Sequence, residues 1–144
     1  MIRKMLANRM FINGMAVLLL LIFSQSCGKQ KGTASNVVVT NVSVHILKEK
    51  LDKNPKLLVL DVRTPGEHQR DGYIRGAKRI PISKLSRRIQ ELDEYKNSEI
   101  YVICAVGQRS LAASQYLKQK GFTRVFNVAG GMVDWKKNRY GVTR

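Results

Sequence analysis

Two short runs of consecutive apolar residues constrain the fold of this chain more than any other feature. They are Leu57–Leu60 and Ile100–Ile103, and neither shows the polar alternation of a half-exposed strand. Continuous runs of this kind are typical of parallel strands that are buried on both faces. Helical patterns separate these strands from shorter strand candidates, so the two element types alternate. The pattern predicts an α/β domain with a mainly parallel central sheet and helices on both faces.

Capping residues and apolar spacing predict the remaining elements. Residues 64–67 (Thr-Pro-Gly-Glu) have the form of a capping box with proline at the first helical position. Ser43, Ser83 and Ser110 are each placed to begin a further helix, and Gly130-Gly131 turns the chain into a last helix around Trp135. The shorter strand candidates are Val37–Val39, Lys78–Ile80 and Val125–Phe126.

The first 26 residues have the layout of a secretory signal peptide. Met1–Met10 is basic and free of acidic residues, and Phe11–Phe23 is apolar except for Asn13 and Gly14. This apolar run is shorter than the roughly 20 residues that a membrane-spanning helix needs. A basic start, a short apolar run and then small polar residues predict export from the cytoplasm.

Cys27 directly follows Ser26 at the end of this segment. The arrangement resembles a bacterial lipoprotein signal, and that resemblance implies that Cys27 becomes lipidated. Residues 27–36 would then tether a domain at 37–144 to a membrane of the cell envelope or periplasm, because they hold no large apolar residue. Two alternatives remain open: conventional cleavage, which Ser24 and Ser26 would also suit, and an uncleaved anchor.

Charge and cysteine content limit the partners. The chain has 26 Lys and Arg against 10 Asp and Glu, a net charge of +16, which favours small oxyanions or lipid headgroups or simply gives a basic surface. No basic run is interleaved with aromatic residues, so nucleic acid is not an expected partner. His45 and His68 are isolated and are predicted at the surface or the edge of the core. We expect no metal site and no cofactor.

Cys104 is the candidate nucleophile. It follows the strand Ile100–Ile103, and ligands of parallel sheets bind at the carboxyl ends of strands. Ala105–Gln108 must curl tightly, which Gly107 permits, and Arg109 adds a positive charge before the next helix. Backbone N–H groups, the helix dipole and this cation should lower the pKa of the thiol. The alternative is a buried cysteine that acts as a small apolar side chain.

Four ordered motifs resemble those of the rhodanese-like family over Val37–Tyr140. They are Asp61-Val62-Arg63-x-x-x-Glu67, Gly72-Tyr73-Ile74-Arg75-Gly76-Ala77, Cys104-x-x-Gly107-x-Arg109-Ser110 and Gly130-Gly131-x-x-x-Trp135. The resemblance implies a rhodanese fold and a sulfurtransferase, in which Cys104 accepts a sulfane sulfur as a persulfide and passes it to a thiol or a cyanide-like acceptor. It also implies that the loop binds the persulfide and a small anionic donor through Ala105, Val106, Gly107, Gln108 and Arg109.

Departures from the family pattern concern the donor and the competing functions. Tyr73 and Arg75 stand where many members of the family have His and Pro in a structural turn. Ala105 and Val106 are neutral and apolar, whereas the residue after the cysteine is often Arg or another polar group that would help to bind thiosulfate. Persulfide donors are therefore expected to react better than thiosulfate.

Related phosphatases and arsenate reductases have one more residue between Cys and Arg than the four found here. Non-catalytic interaction modules of this family usually lack the cysteine, which is present as Cys104.

Overall fold

A five-stranded parallel sheet forms the centre of residues 37–144, the part of the chain that the computed structural model describes. Every strand pairing in it is parallel, and the spatial order is β1-β5-β4-β2-β3. The strands are β1 (Thr40–Val42), β2 (Leu58–Asp61), β3 (Lys78–Arg79), β4 (Glu99–Ile103) and β5 (Arg124–Val128). The predicted buried runs form β2 and β4, which pair with each other inside the sheet and are almost fully buried.

Helices cover both faces of the sheet, as predicted from the alternation of elements. They are α1 (Val44–Lys53), α2 (Pro65–Asp71), α3 (Ile82–Arg88), α4 (Gln108–Gln119) and α5 (Gly131–Lys137), with a 3-10 helix at Ile89–Tyr95. One core cluster joins the sheet to α3, the 3-10 helix and α4 through Leu85, Leu92 and Leu117. The other joins it to α1 and α5 through Leu47 and Trp135. The α/β class and the parallel sheet are confirmed.

Several element boundaries differ from the sequence prediction. The run Val37–Val39 is not a strand, since β1 begins at Thr40, where the chain first pairs with Phe126 of β5. The helix predicted to begin at Ser83 begins at Ile82 as α3, and the chain continues from Ile89 as a 3-10 helix. Ser110 does not cap α4: the helix begins at Gln108, so Ser110 lies within its first turn and is fully buried.

A buried ion pair fixes the chain where it leaves β2. Arg63 Nη2 donates to Asp61 Oδ2 at 2.7 Å and to the Gly72 carbonyl oxygen at 2.8 Å, and both charged side chains are almost completely buried. His68 Nε2 lies 3.3 Å from Asp61 Oδ1, so this histidine is buried and not at the surface. The cluster holds the start of α2 at the carboxyl edge of the sheet, because Thr64 and Pro65 follow Arg63 directly.

Within residues 37–144, no helix is both long and apolar enough to cross a bilayer. The predicted signal segment 1–26, the lipidation candidate Cys27 and the tether that extends to residue 36 lie outside the described residues.

Candidate functional site

Residues 104–109, the cysteine loop, run from the end of β4 into the first two residues of α4 at the carboxyl edge of the sheet. Because all the strands are parallel, the same edge also carries the chain segments that follow β2, β3 and β5. Cys104 comes directly after the last residue of β4, the strand between β5 and β2, and its side chain is 1% exposed. The thiol therefore lies beneath the loop, between the segments that follow β2 and β5.

Hydrogen bonds converge on the sulfur of Cys104. The N–H of Gly107 donates to Sγ at 3.1 Å, and Ser110 Oγ lies 3.4 Å from it. Burial by itself raises the pKa of the thiol, but hydrogen bonds from the Ser110 hydroxyl and from the backbone N–H groups of Ser110, Gly107 and Val106 outweigh that effect. The pKa of Cys104 therefore lies below the ordinary value of a cysteine, which increases the thiolate fraction near neutral pH.

The first turn of α5 holds the start of this loop in place. The N–H of Met132 donates to the Cys104 carbonyl oxygen at 2.8 Å, and the N–H of Val133 donates to that of Ala105 at 3.0 Å. The N–H and C=O of a trans peptide point in opposite directions, so the N–H groups of the same two peptides point away from α5. Gly131 has a φ of +56°, and a Cβ there would lie 2.4 Å from the Cys104 carbonyl oxygen. This close contact requires glycine.

Gly107 provides the reversal that lets the loop enter α4. Its φ of +99° lies in the left-handed region, and it forms the N-terminal boundary of the helix. A Cβ at this position would lie 3.3 Å from Ala129 Cα and from Gly130 N, so the loop also packs closely against the segment after β5. The sequence prediction that Gly107 permits a tight curl agrees with this geometry.

Arg109 is paired with Glu67. Its Nη1 donates to Glu67 Oε2 at 2.9 Å and its Nη2 to Oε1 at 2.6 Å. This pairing holds the pKa of Glu67 well below its usual range and raises that of Arg109. The sequence prediction gave Arg109 a full positive charge at the rim, and the structure pairs this charge with the Glu67 carboxylate. The main causes that lower the pKa of Cys104 are the hydrogen bonds from Ser110, Gly107 and Val106, while Arg109 also interacts with the Cys104 thiolate.

Ser110 and Glu67 are the residues whose roles the sequence prediction missed. Ser110 Oγ lies 3.0 Å from the Gly107 carbonyl oxygen and 2.6 Å from Asn127 Oδ1, in addition to its contact with Cys104. Its single proton has three acceptors, of which a thiolate is the only one that carries a full charge. Glu67 accepts from the Thr64 N–H at 2.9 Å, and this local capping role explained its presence without any pairing to Arg109. Ser110 and Glu67 both belong to the sequence motifs quoted above, and that membership was the one sign in the sequence that they have a role at the site.

The loop opens to solvent through an apolar rim. Ala105 is half-buried, whereas Gln108 is exposed and the Val106 side chain is 58% exposed. Val133, at the start of α5 beside Ala105, is 51% exposed. An approaching reactant therefore meets apolar side chains and backbone N–H groups. No set of three or more His, Cys, Asp or Glu side chains within 37–144 is arranged as metal ligands would be.

Comparison with known proteins agrees with this geometry. The family model for the rhodanese-like domain matches residues 43–138, which is most of the described fold. The chain belongs to the rhodanese-like family. The crystal structure of a rhodanese-like domain protein from Staphylococcus aureus superimposes with a TM-score of 0.62 at 32% identity, covering 74% of this chain and 100% of that one. The fold assigned from the sequence motifs is thereby confirmed.

Two rhodanese-like relatives show how far the similarity extends. A protein of Allochromatium vinosum named sulfurtransferase is 31% identical over 101 residues, which are 70% of this chain and 92% of the relative. YrkF of Bacillus subtilis is 39% identical over 97 residues, which are 67% of this chain but 51% of YrkF. The chain therefore spans about half the length of YrkF, and the family similarity includes a protein named for sulfur transfer.

The Ser110→Ala variant tests the hydrogen bonding at the sulfur. Removal of the hydroxyl deprives the thiolate of one donor, so the pKa of Cys104 should rise. A hydrogen bond to a charged group contributes about 1.5 kcal/mol, so we expect the midpoint of the iodoacetamide alkylation-rate profile to move up by about one pH unit. Alkylation rates measured from pH 5 to 10 check this. Ser114→Ala, a buried serine of the same helix that makes no such contact, should leave the profile unchanged. An unchanged Ser110→Ala profile would show that the hydroxyl does not act on the sulfur.

Proposed function

We propose that this protein is a sulfurtransferase that carries a sulfane sulfur as a persulfide on Cys104 and passes it to a thiol or a cyanide-like acceptor. The observation that carries the proposal is the convergence of the Ser110 hydroxyl and loop N–H groups on a thiol whose pKa they lower. A relative named sulfurtransferase, which this chain matches over most of its length, supports the same chemistry.

The proposed reaction has two displacement steps at sulfur. The Cys104 thiolate attacks the outer sulfur of a donor R–S–S⁻, a new S–S bond forms, and R–S⁻ leaves with the electron pair of the broken bond. The acceptor thiolate then attacks the outer sulfur now held on Cys104, and Cys104 Sγ leaves as a thiolate. The hydrogen bonds from Gly107 and Ser110 serve both steps, since they stabilise Sγ as nucleophile and as leaving group.

The charges at the loop favour persulfide donors over thiosulfate. A thiosulfate dianion needs cationic groups at its docking position, but the guanidinium of Arg109 is engaged by Glu67. The exposed side chain of Val106 adds an apolar contact where a charge would be needed. A persulfide places less charge at the reacting end and tolerates this rim. The general positive charge of the chain does not reverse the preference, because long-range attraction is screened over about 8 Å at physiological salt.

Mass spectrometry tests the persulfide directly. Purified protein exposed to polysulfide should gain the mass of one sulfur atom on the peptide that contains Cys104, and dithiothreitol should remove it. An exchange partner should then receive this sulfur in a second incubation without the donor. If Cys104 takes up no sulfur from polysulfide or from thiosulfate, the sulfurtransferase proposal fails, and an interaction module with an unused cysteine becomes the better explanation.

We also propose that the protein is exported and held at a membrane of the cell envelope through lipidated Cys27. The support is the sequence of residues 1–36, in which a basic start and a short apolar run precede Ser26 and Cys27. Each buried CH₂ of an acyl chain contributes about 0.8 kcal/mol, so two or more chains make attachment effectively permanent.

Cys27→Ala is expected to release the protein from the membrane fraction or to leave its signal uncleaved. Cell fractionation and intact-mass analysis of the wild type and the variant provide the measurement, and Cys104→Ala serves as the cysteine control that should stay membrane-bound. A wild-type protein without lipid in the soluble fraction would contradict the anchor, while conventional cleavage after Ser26 would still be compatible with export.

A further inference from the structure

A basic pocket lies beside the cysteine loop at the same edge of the sheet. Thr64 and Pro65, which follow β2, form one side, and Pro81 and Lys84, which follow β3, form the other. The cavity measures about 590 Å³, within the range of small-molecule binding sites. None of the six loop residues 104–109 lines it. The pocket is therefore a separate feature of the protein that the sulfur chemistry described above does not use.

Cationic side chains line this pocket without any carboxylate side chain to balance them. They are Arg79, Lys84, Arg88 and Arg144. Of these, Arg88 is paired with Glu91 at 2.6 Å, whereas Arg79 and Lys84 form no ion pair with the described residues. The guanidinium of Arg79 lies 4.1 Å above the centre of the Tyr73 ring, which holds it in the pocket wall. A concave site with unbalanced cations and some apolar wall is suited to an anionic organic molecule.

The position of the pocket relates it to Cys104. Strand β2 lies between β3 and β4, so the segment after β2, which forms one side of the pocket, is the neighbour of the segment after β4 that begins with Cys104. Helix α2 provides Pro65 and His68 to the pocket and Glu67 to Arg109 of the loop. A molecule seated in the pocket therefore needs only a flexible arm of several bonds to bring a sulfur atom to the loop.

We propose that the pocket bounded by Thr64, Arg79 and Lys84 binds the anionic end of a low-molecular-weight thiol whose sulfur exchanges with Cys104. This proposal rests on the proposed sulfurtransferase function and names the substrate class for it. In the step concerned, the thiolate of the bound molecule attacks the outer sulfur of the Cys104 persulfide, a new S–S bond forms, and the electron pair of the broken bond remains on Cys104 Sγ. The pocket contributes binding and orientation but no proton or electron.

Coenzyme A and pantetheine provide a matched pair of acceptor probes, because they share one thiol arm and differ in the phosphate-bearing end. Full-length protein loaded with a persulfide on Cys104 is mixed with each thiol at 0.15 M salt, and the second-order rate constants for sulfur transfer are compared. The wild type should prefer coenzyme A by at least about tenfold, and Arg79→Gln/Lys84→Gln should lose most of this preference. Equal rate constants for the two thiols in the wild type would overturn the proposal.

Arg75→Gln/Arg87→Gln is the matched control. Both side chains are exposed and neither lines the pocket, and the double substitution also removes two positive charges. Its preference for coenzyme A should stay within about twofold of the wild type, because charges that do not contact the bound molecule are screened at this salt concentration. An equal loss in both double variants would assign the preference to the general positive field and overturn the pocket.

Binding of S-methyl coenzyme A separates this proposal from the proposed function. The capped thiol cannot accept sulfur, so calorimetric titration reports on the pocket alone. Saturable binding that weakens by about tenfold in Arg79→Gln/Lys84→Gln, and not in the control, supports the pocket even if Cys104 never carries sulfur. Absence of saturable binding to the wild type overturns the pocket even if persulfide transfer on Cys104 is demonstrated.

Discussion

Cys104→Ser should abolish sulfur transfer, with a loss of at least about a thousandfold, as is usual when a covalent nucleophile is removed. A serine hydroxyl ionises far less readily than a thiol, and it cannot form the S–S bond that carries the sulfur. The hydrogen-bond donors around position 104 come from Gly107 and Ser110, so they stay in place for the smaller oxygen. Stability should change by about 1 kcal/mol or less. Transfer from polysulfide to a thiol and the free energy of urea unfolding are the two measurements.

The natural control for this variant is Cys27→Ser, which removes the other of the two cysteines. Protein purified with that change should transfer sulfur at the wild-type rate, because residue 27 lies outside the domain 43–138 that the family model matches. Transfer that survives Cys104→Ser but not Cys27→Ser would move the sulfur carrier to the other cysteine. Transfer that survives both changes would mean that no cysteine carries the sulfur.

The sequence predicted the buried centre of the fold better than its margins. Leu58–Asp61 and Glu99–Ile103 are strands because a continuous apolar run can be buried only between two covered faces. The edge strand β1 was displaced by three residues, since Val37–Val39 has the residue types of a strand but no partner. Pairing decides this boundary, and its partner, Phe126 of β5, is more than 80 residues away. Composition near the strand holds no information about that pairing.

At the site too, features that depend on local sequence were predicted, whereas features that depend on contacts between distant residues were not. The order strand, cysteine, glycine and helix placed Cys104 at the carboxyl edge of the sheet from the sequence alone. Two features could not be read in this way. Ser110 has the residue type of a helix cap, but Gly107, with a φ of +99°, occupies the capping position instead. Ser110 therefore lies in the first turn of α4, where its hydroxyl contacts the sulfur of Cys104. Glu67 satisfies a local capping box, while its bond to Arg109 joins residues 42 apart.

The basic pocket and its position next to Cys104 could not be predicted from the sequence, because they depend on the spatial order of the strands. Its two sides follow β2 and β3, which are consecutive in the chain, but its relation to Cys104 exists only because β4 pairs on the other side of β2. Several spatial arrangements are compatible with the same alternation of strands and helices. The net charge of +16 indicated anionic partners but gave no position for them.

Gly131→Ala should have the largest effect on stability among the glycine-to-alanine changes in residues 37–144. The added Cβ would lie 2.4 Å from the Cys104 carbonyl oxygen and 2.5 Å from that of Ala105, and both are backbone atoms that no side-chain rotation can move. The φ of +56° adds roughly 1–2 kcal/mol for a residue with a Cβ. We expect a total loss of about 4 kcal/mol or more, measured by urea unfolding, because the loop or α5 must shift. Sulfur transfer should fall with it, since the displaced peptides are those that direct the loop N–H groups.

Two other glycines separate the contributions to this effect. Gly121 has a φ of +90° but no atom within 4 Å of its added Cβ, so Gly121→Ala should cost only the backbone term of roughly 1–2 kcal/mol. Gly66 lies in α2, has neither a left-handed φ nor a close neighbour, and should gain about 0.5–1 kcal/mol as alanine. Neither position touches residues 104–109, so transfer per folded molecule should not change. If Gly131→Ala loses no more stability than Gly121→Ala, backbone strain alone explains the requirement for glycine. The first turn of α5 would then not be what holds the cysteine loop in shape.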